Sequence, residues 1–204
     1  GKAAFDRDTV LFKHAEYDYA VVAALLYATQ QKQQLQVLDF GGASGSMYFQ
    51  YRPLLTQIEK LRWSVVEQDH FVEFGKSELQ DNTLRFYPDI KSVLAENQPD
   101  LVLLGCVLPY LENPYLWLDT VYASEIPYVL IDKHPVIPGK NDRLTVQKIN
   151  PKIYRASYPA WFFGEAKFRN ALKGRFEIIF EYDCPDQSNL TESSFKGFFL
   201  KRIT

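Results

Sequence analysis

Leu35-Gln36-Val37-Leu38-Asp39-Phe40-Gly41-Gly42-Ala43-Ser44-Gly45 is the stretch on which the fold turns. Leu35 to Phe40 is a short apolar run that ends beside an acid and glycines, the pattern of a buried parallel strand rather than a half-exposed one. The strand runs directly into Gly41, Gly42 and Gly45, which let the backbone turn tightly and approach a ligand with no Cβ in the way. The spacing is not GxGxxG from any starting glycine, and no GxxxxGK[ST] occurs, which argues against NAD and ATP. Taken alone, a glycine-rich turn after a strand is weak evidence, and a plain structural turn competes with it.

Outward from this loop, strands and helices alternate. Ser46 to Arg62 carries Tyr48, Phe49, Tyr51, Leu54, Leu55 and Ile58 in a largely helical pattern, with Pro53 as a kink or a restart. Trp63 to Glu67 predicts a second strand, Phe71 to Leu79 a helix, and Leu84 to Tyr87 a third strand before Pro88. Asp100 to Cys106 predicts a fourth strand and Pro114 to Ala123 a helix. Pro127 to Asp132 predicts a fifth strand, ending in Asp132-Lys133-His134-Pro135.

Pro138 to Tyr158 reads as a polar insertion with a strand at Leu144 to Ile149, followed by a helix around Gly164 to Leu172. Phe176 to Tyr182 and Lys196 to Ile203, separated by a polar loop, predict a hairpin. Upstream, Tyr19, Val22, Ala23, Leu26 and Tyr27 recur at helical spacing between Glu16 and Gln31. The expectation is an α/β fold whose mostly parallel sheet is covered by helices on both faces, ends in an antiparallel hairpin, and binds ligands at the carboxyl ends of its strands. A helical cap over residues 1–34 would precede a core over 35–204, with the insertion at about 138–158.

Composition narrows the class. A chain of 204 residues can bury one substantial core, and 47% hydrophobic residues favour a packed globular protein over a disordered one. A net charge of -2 provides no global attraction for nucleic acid. Two cysteines, Cys106 and Cys184, are too few for a disulfide scaffold or a CxxC-type zinc site and suit a reducing, cytoplasmic setting. No apolar stretch approaches the roughly 18 to 20 residues needed to span a bilayer, and the start lacks a signal-peptide pattern. His14, His70 and His134 are scattered, so no metal is expected.

Asp39 to Gly45 resembles the acidic-x-Gly-x-Gly-x-Gly loop of class I S-adenosylmethionine-dependent methyltransferases, with Ala43 in place of the middle glycine. The resemblance implies a Rossmann-like methyltransferase fold with a seven-stranded sheet, and S-adenosyl-L-methionine as cofactor. It implies that the loop (Asp39, Gly41, Gly42, Ala43, Gly45) wraps the amino acid part of the cofactor. It also implies that Glu67, at the end of the second strand beside Gln68, accepts hydrogen bonds from the ribose hydroxyls, and that Asp89 contacts the adenine. Asp100 to Leu104 followed by Val107 to Leu111 looks like the family's fourth strand and following loop. With Val66-Glu67-Gln68, Val129 to Pro135 and Ala156 to Pro159, the chain is similar to a subgroup of bacterial methyltransferases associated with surface-polysaccharide biosynthesis. That similarity implies a sugar or sugar-nucleotide acceptor.

Because the sulfonium makes the methyl group a good electrophile, such an enzyme mainly aligns an acceptor and excludes water. For a hydroxyl acceptor, His134 is the candidate general base and Asp132 its alternative. A locally hydrogen-bonded loop histidine is the competing reading. Tyr17 and Tyr19 could cover the pocket. Tyr154, Tyr158, Trp161, Phe162 and Phe163 form either an acceptor platform or core. Gly42-Ala43-Ser44-Gly45 is not the GxSxG elbow of a hydrolase. The expectation is methyl transfer to a small or glycan-linked acceptor at oxygen, with Gly41, Ala43, Gly45 and Glu67 holding the cofactor. The rival is a noncatalytic module binding the cofactor or a nucleotide as an assembly partner.

Overall fold

A computed structural model describes residues 5–7, 10–12, 16–30, 32–149 and 155–203. His14 and Tyr154, named above, lie outside the described residues. The chain divides into two units: Gly1–Gly105 with Ile126–Leu130, and Cys106–Glu125 with Ile131–Thr204.

In unit one, β1 (Phe5–Arg7) and β2 (Val10–Phe12) pair as an antiparallel ribbon. Helix α1 (Tyr19–Ala28) starts where the Asp18 side chain accepts the Ala20 amide, satisfying a donor the helix itself cannot. It buries Val21, Ala24, Leu25 and Ala28 along one stripe. Then come β3 (Gln34–Phe40), α2 (Ser46–Tyr51), β4 (Lys60–Val66), α3 (Asp69–Phe74), β5 (Leu84–Tyr87), α4 (Ile90–Glu96) and β6 (Leu101–Gly105). Strand β7 (Tyr128–Ile137) begins here and ends in unit two. The strand order is β7-β6-β3-β4-β5. The pairs β3/β4, β3/β6 and β4/β5 are parallel. Leu35, Val37, Leu38, Trp63, Val65 and Leu101 to Leu104 are buried, as the continuous apolar runs of a covered parallel sheet require.

Three local readings change. The helix expected from Ser46 to Arg62 stops at Tyr51, because Pro53 lacks the N–H that would continue it and sits in a tight turn at Arg52–Leu54. The residues from Lys60 onward are already strand. The next helix starts at Asp69 and loosens at Gly75 into a wide turn, Gly75–Leu79. Helix α4 was not anticipated, since a seven-residue helix carries too few turns to show a period.

In unit two, α5 (Pro114–Ala123), the rest of β7, β8 (Arg143–Lys148), β9 (Ser157–Gly164), α6 (Glu165–Leu172), β10 (Phe176–Cys184) and β11 (Ser194–Arg202) follow in chain order. The order β10-β11-β7 carries the expected terminal hairpin, antiparallel from Phe176↔Arg202 to Cys184↔Phe195. With β7 common to both paths, these are the seven strands anticipated. Two more strands join them, β8 inside the expected insertion and β9 starting at its end: β9 runs antiparallel to β8 and parallel to β7 at Val136↔Phe163. The aromatic run at its end is therefore strand. No helix of the described residues is long and apolar enough to cross a membrane.

Gly197 lies opposite Tyr182 across β10 and β11, and a Cβ built on it would come within 2.0 Å of the Tyr182 ring. The ring covers the glycine, so Gly197→Ala should displace it and cost about 1–3 kcal/mol. Thermal melts should show a lowered Tm for Gly197→Ala, and adding the same change to Tyr182→Ala should lower Tm little further. An unchanged Tm for Gly197→Ala alone would contradict this packing.

Candidate cofactor site

The parallel strands of unit one end side by side. Phe40 pairs with Val66, Val66 with Tyr87, and Asp39 with Leu103. The Gly41 amide donates to the Val66 carbonyl (2.9 Å) and the Glu67 amide to the Tyr87 carbonyl (3.2 Å). The glycine loop, Glu67 and the turn at Pro88-Asp89 therefore share the carboxyl edge of the sheet, where open α/β sheets bind ligands. Gly41 and Glu67 stand at adjacent strand ends.

The loop's backbone explains its composition. Gly41 (φ 73°), Ala43 (φ 49°) and Gly45 (φ 84°) all take left-handed conformations. A side chain disfavours that region by roughly 1–2 kcal/mol, so the alanine at 43 tolerates a position better suited to glycine. Gly42 is constrained by contact instead: a Cβ there would lie 2.5 Å from Asp39 Oδ2.

Asp39 is 1% exposed and accepts a hydrogen bond from Trp63 Nε1 (2.9 Å). Burial pushes its carboxyl up to about 7; the Trp63 bond opposes the rise and the nearby Glu67 charge adds to it. Among the described residues, no ion pair reaches Asp39. Trp63 was not singled out in the sequence. The available signal was a buried indole, which needs an acceptor, on the strand next to a buried acid.

Glu67 is half-buried, and one of its oxygens accepts the Gln68 amide (2.6 Å). Gln68 is exposed and precedes α3. Asp89 is exposed and caps α4, accepting from the Ser92 amide (2.7 Å) and hydroxyl (2.9 Å); these bonds hold its carboxyl below the usual range. Gly105, also missed in the sequence, closes β6 where a Cβ would meet Met47 Sδ at 2.9 Å. Tyr17 packs against Tyr51, whereas Tyr19 stands in solvent at 77% exposure.

Asp132 and His134 belong to unit two. Asp132 is buried and accepts from the Tyr182 hydroxyl (2.8 Å), with Cys184 Sγ at 3.7 Å. Its neighbour Lys133 (φ 55°) is left-handed, as is Cys106 (φ 57°), whose amide donates to the Asp132 carbonyl (3.0 Å). Such strained non-glycine positions cluster at functional sites.

The expectation that His134 faces the ligand side needs correction. Its ring is 1% exposed, stacked on Phe163 (4.2 Å) and packed on Phe168 (4.1 Å) and Phe198 (6.2 Å). Neither ring nitrogen has a hydrogen-bond partner. Burial pulls its pKa down to about 3, so the imidazole is neutral and has no route to an acceptor's proton. Phe163, once a possible platform residue, is part of this core, while Tyr158 packs edge-on against Tyr110 and Phe162 against Phe195.

Unit two also holds a cavity of about 790 Å³ lined by residues that include Asn113, Tyr115, Lys140, Asp142, Trp161 and Lys167. Asp142, with 6% of its side chain exposed, collects the Tyr115 hydroxyl (3.0 Å), the Gly164 amide (2.9 Å) and the Lys167 ammonium. Trp161 is fixed by its Nε1 donating to the Leu111 carbonyl (3.2 Å).

No family model matches the chain, and no curated protein matches its sequence. Solved structures do. A SAM-dependent methyltransferase from Methanosarcina mazei superposes with a TM-score of 0.60 at 13% identity, covering 93% of this chain and 99% of that one. Magnesium protoporphyrin IX methyltransferase from Synechocystis, with bound SAM, superposes with a TM-score of 0.57 at 15% identity, covering 91% and 79%. The [4+2]-cyclase SpnF gives 0.55 at 12% identity, covering 92% and 84%. At these identities the likeness establishes the fold: an α/β, Rossmann-like methyltransferase fold.

The buried imidazole has a consequence for stability. Its folded pKa lies below the value of about 6.5 of an unfolded chain, so between the two the unfolded state binds a proton that the folded state does not. Its contribution is complete above pH 6.5 and is lost as pH falls, by about 2 kcal/mol at pH 5. His134→Phe should therefore raise Tm at pH 5 more than at pH 8. Parallel Tm-against-pH curves for the two proteins would contradict the assignment.

Proposed function

We propose that the chain is an S-adenosylmethionine-dependent methyltransferase acting on a small or glycan-linked acceptor at oxygen. The observation that carries this reading is the adjacency of Gly41 and Glu67 at parallel strand ends, because it puts a side-chain-free backbone beside a carboxylate. The residues fit the cofactor. Gly41, Gly42 and Gly45 give the amino acid part a surface without Cβ atoms, and the Glu67 oxygen not engaged by Gln68 is the acceptor for ribose hydroxyls. Asp89, which follows β5 and caps α4, is the residue we assign to the adenine end. The bound SAM in the magnesium protoporphyrin IX methyltransferase, a protein of the same fold, supports the choice.

When bound, the cofactor supplies an electrophilic methyl group on a sulfonium. The protein's own tasks are then to hold the acceptor, exclude water and receive its proton. Asp132 replaces His134 as our candidate base: it is a carboxylate held by Tyr182 in a strained segment, while His134 is packed between phenylalanines. The cavity around Trp161, Asn113 and Asp142 suits a ring-shaped acceptor with hydroxyl groups, and its two lysines are balanced by Glu112 and Asp142.

Because the same fold also serves a [4+2]-cyclase, binding and turnover have to be measured separately. Calorimetry should show binding of S-adenosylmethionine and S-adenosylhomocysteine but not NAD, and Glu67→Ala should weaken both by roughly tenfold or more, the worth of a charge-assisted hydrogen bond. Failure of both sulfur compounds to bind the folded protein would sink the reading. With binding established, release of labelled methyl onto a panel of hydroxyl-bearing sugars should occur and should drop in Asp132→Asn. No transfer to any acceptor would favour a noncatalytic binding module.

A further inference from the structure

A second cavity, of about 430 Å³, lies in unit one and has the size of a small-molecule site. Leu61 near the amino end of β4 and Thr83, which precedes β5, put it at the edge of the sheet opposite Gly41 and Glu67. Tyr48 of α2 and Arg52 of the following turn line it together with Pro53, Leu55 and Ile58. Pro53 fixes that turn. The Leu55 amide donates to the Arg52 carbonyl (3.1 Å) and the Ile58 amide to the Leu55 carbonyl (3.0 Å), so the segment is wound into a defined wall.

Two donors of this cavity lack the partners such groups usually find. Tyr48 is 5% exposed, with its ring packed on Phe49 (5.2 Å) and Trp63 (5.9 Å), yet among the described residues its hydroxyl makes no hydrogen bond. The Arg52 guanidinium stands over the Phe49 ring (4.9 Å) and the Tyr48 ring (5.6 Å). Among the described residues, no carboxylate lies within ion-pair distance of it. The rings hold the cation in place but offer its N–H groups no acceptor. Glu59, the carboxylate among the lining residues, is engaged by the Gln33 amide rather than by Arg52.

We infer that this cavity binds a small monocarboxylate with an apolar tail, at a site separate from the cofactor's. The carboxylate is held by Arg52, whose planar fork matches it, and by the Tyr48 hydroxyl. The tail lies on Leu55, Ile58 and Leu61, surface that a bare inorganic anion would leave wet. A doubly charged group is disfavoured, because Glu59 adds a negative charge to the same cavity. The inference does not rest on the cofactor reading.

Octanoate is the probe. Titrated into the isotope-labelled whole chain and followed by amide NMR, it should shift Leu55, Thr56, Ile58 and Thr83 saturably and leave Asp142 and Trp161 unmoved. Octanamide, of the same shape without the charge, should bind roughly tenfold or more weakly, and so should octanoate to Arg52→Gln. Tyr48→Phe keeps the ring on Trp63 and removes only the hydroxyl, so it should weaken octanoate by roughly threefold to tenfold. Circular dichroism confirms that both variants are folded. Saturating S-adenosylhomocysteine should leave the octanoate shifts in place. Absence of saturable shifts at these residues, equal binding of octanamide, unchanged affinity in either variant, or displacement by S-adenosylhomocysteine would overturn this inference.

Discussion

The hydrogen bond from Trp63 to the buried Asp39 is the constraint on which the candidate site depends. It holds a carboxyl inside the sheet at the point where β3 gives way to the glycine loop, and that carboxyl occupies the space a side chain at position 42 would need. The loop must therefore be glycine at 42 for reasons of contact, and left-handed at 41, 43 and 45 for reasons of turn geometry. One interaction thus determines both the backbone surface offered to a ligand and the electrostatic character beneath it. Glu67 joins the site because β4 ends one residue earlier, in register with β3.

Unit two treats its polar groups in two different ways. Asp132 is buried but hydrogen-bonded, with left-handed backbone at Lys133 beside it and at Cys106, whose amide donates to its carbonyl. His134, two residues along the same strand, is buried with no partner for either nitrogen and is held by rings alone. The second resembles an aromatic core residue that carries a polarity the core does not use.

Much of the fold was legible because parallel sheets write long apolar runs. Leu84–Tyr87 and Pro114–Ala123 were read with their observed limits, and β3 and β6 within a residue. What escaped had a physical cause. Helix α4 is too short to show periodicity, α2 is cut by Pro53, and β9 hides in aromatic residues that strand and core share. The adjacency of the glycine loop and Glu67 was legible because both follow directly on apolar strands that pair in parallel. Trp63, Gly105 and Tyr182 were not, since each matters through a partner distant in sequence. His134 misled because a histidine after an acid at a strand end reads as exposed, whereas β7 continues to Ile137 and carries it into the core.

The proposed cofactor site is the glycine loop together with Glu67. A crystal structure of the chain grown with S-adenosylhomocysteine tests it most directly. The ligand's amino acid end should lie against Gly41 to Gly45, with its ribose hydroxyls within hydrogen-bond distance of the Glu67 carboxylate. A ligand bound elsewhere, or seated on the loop with Glu67 turned away from the ribose, would contradict it.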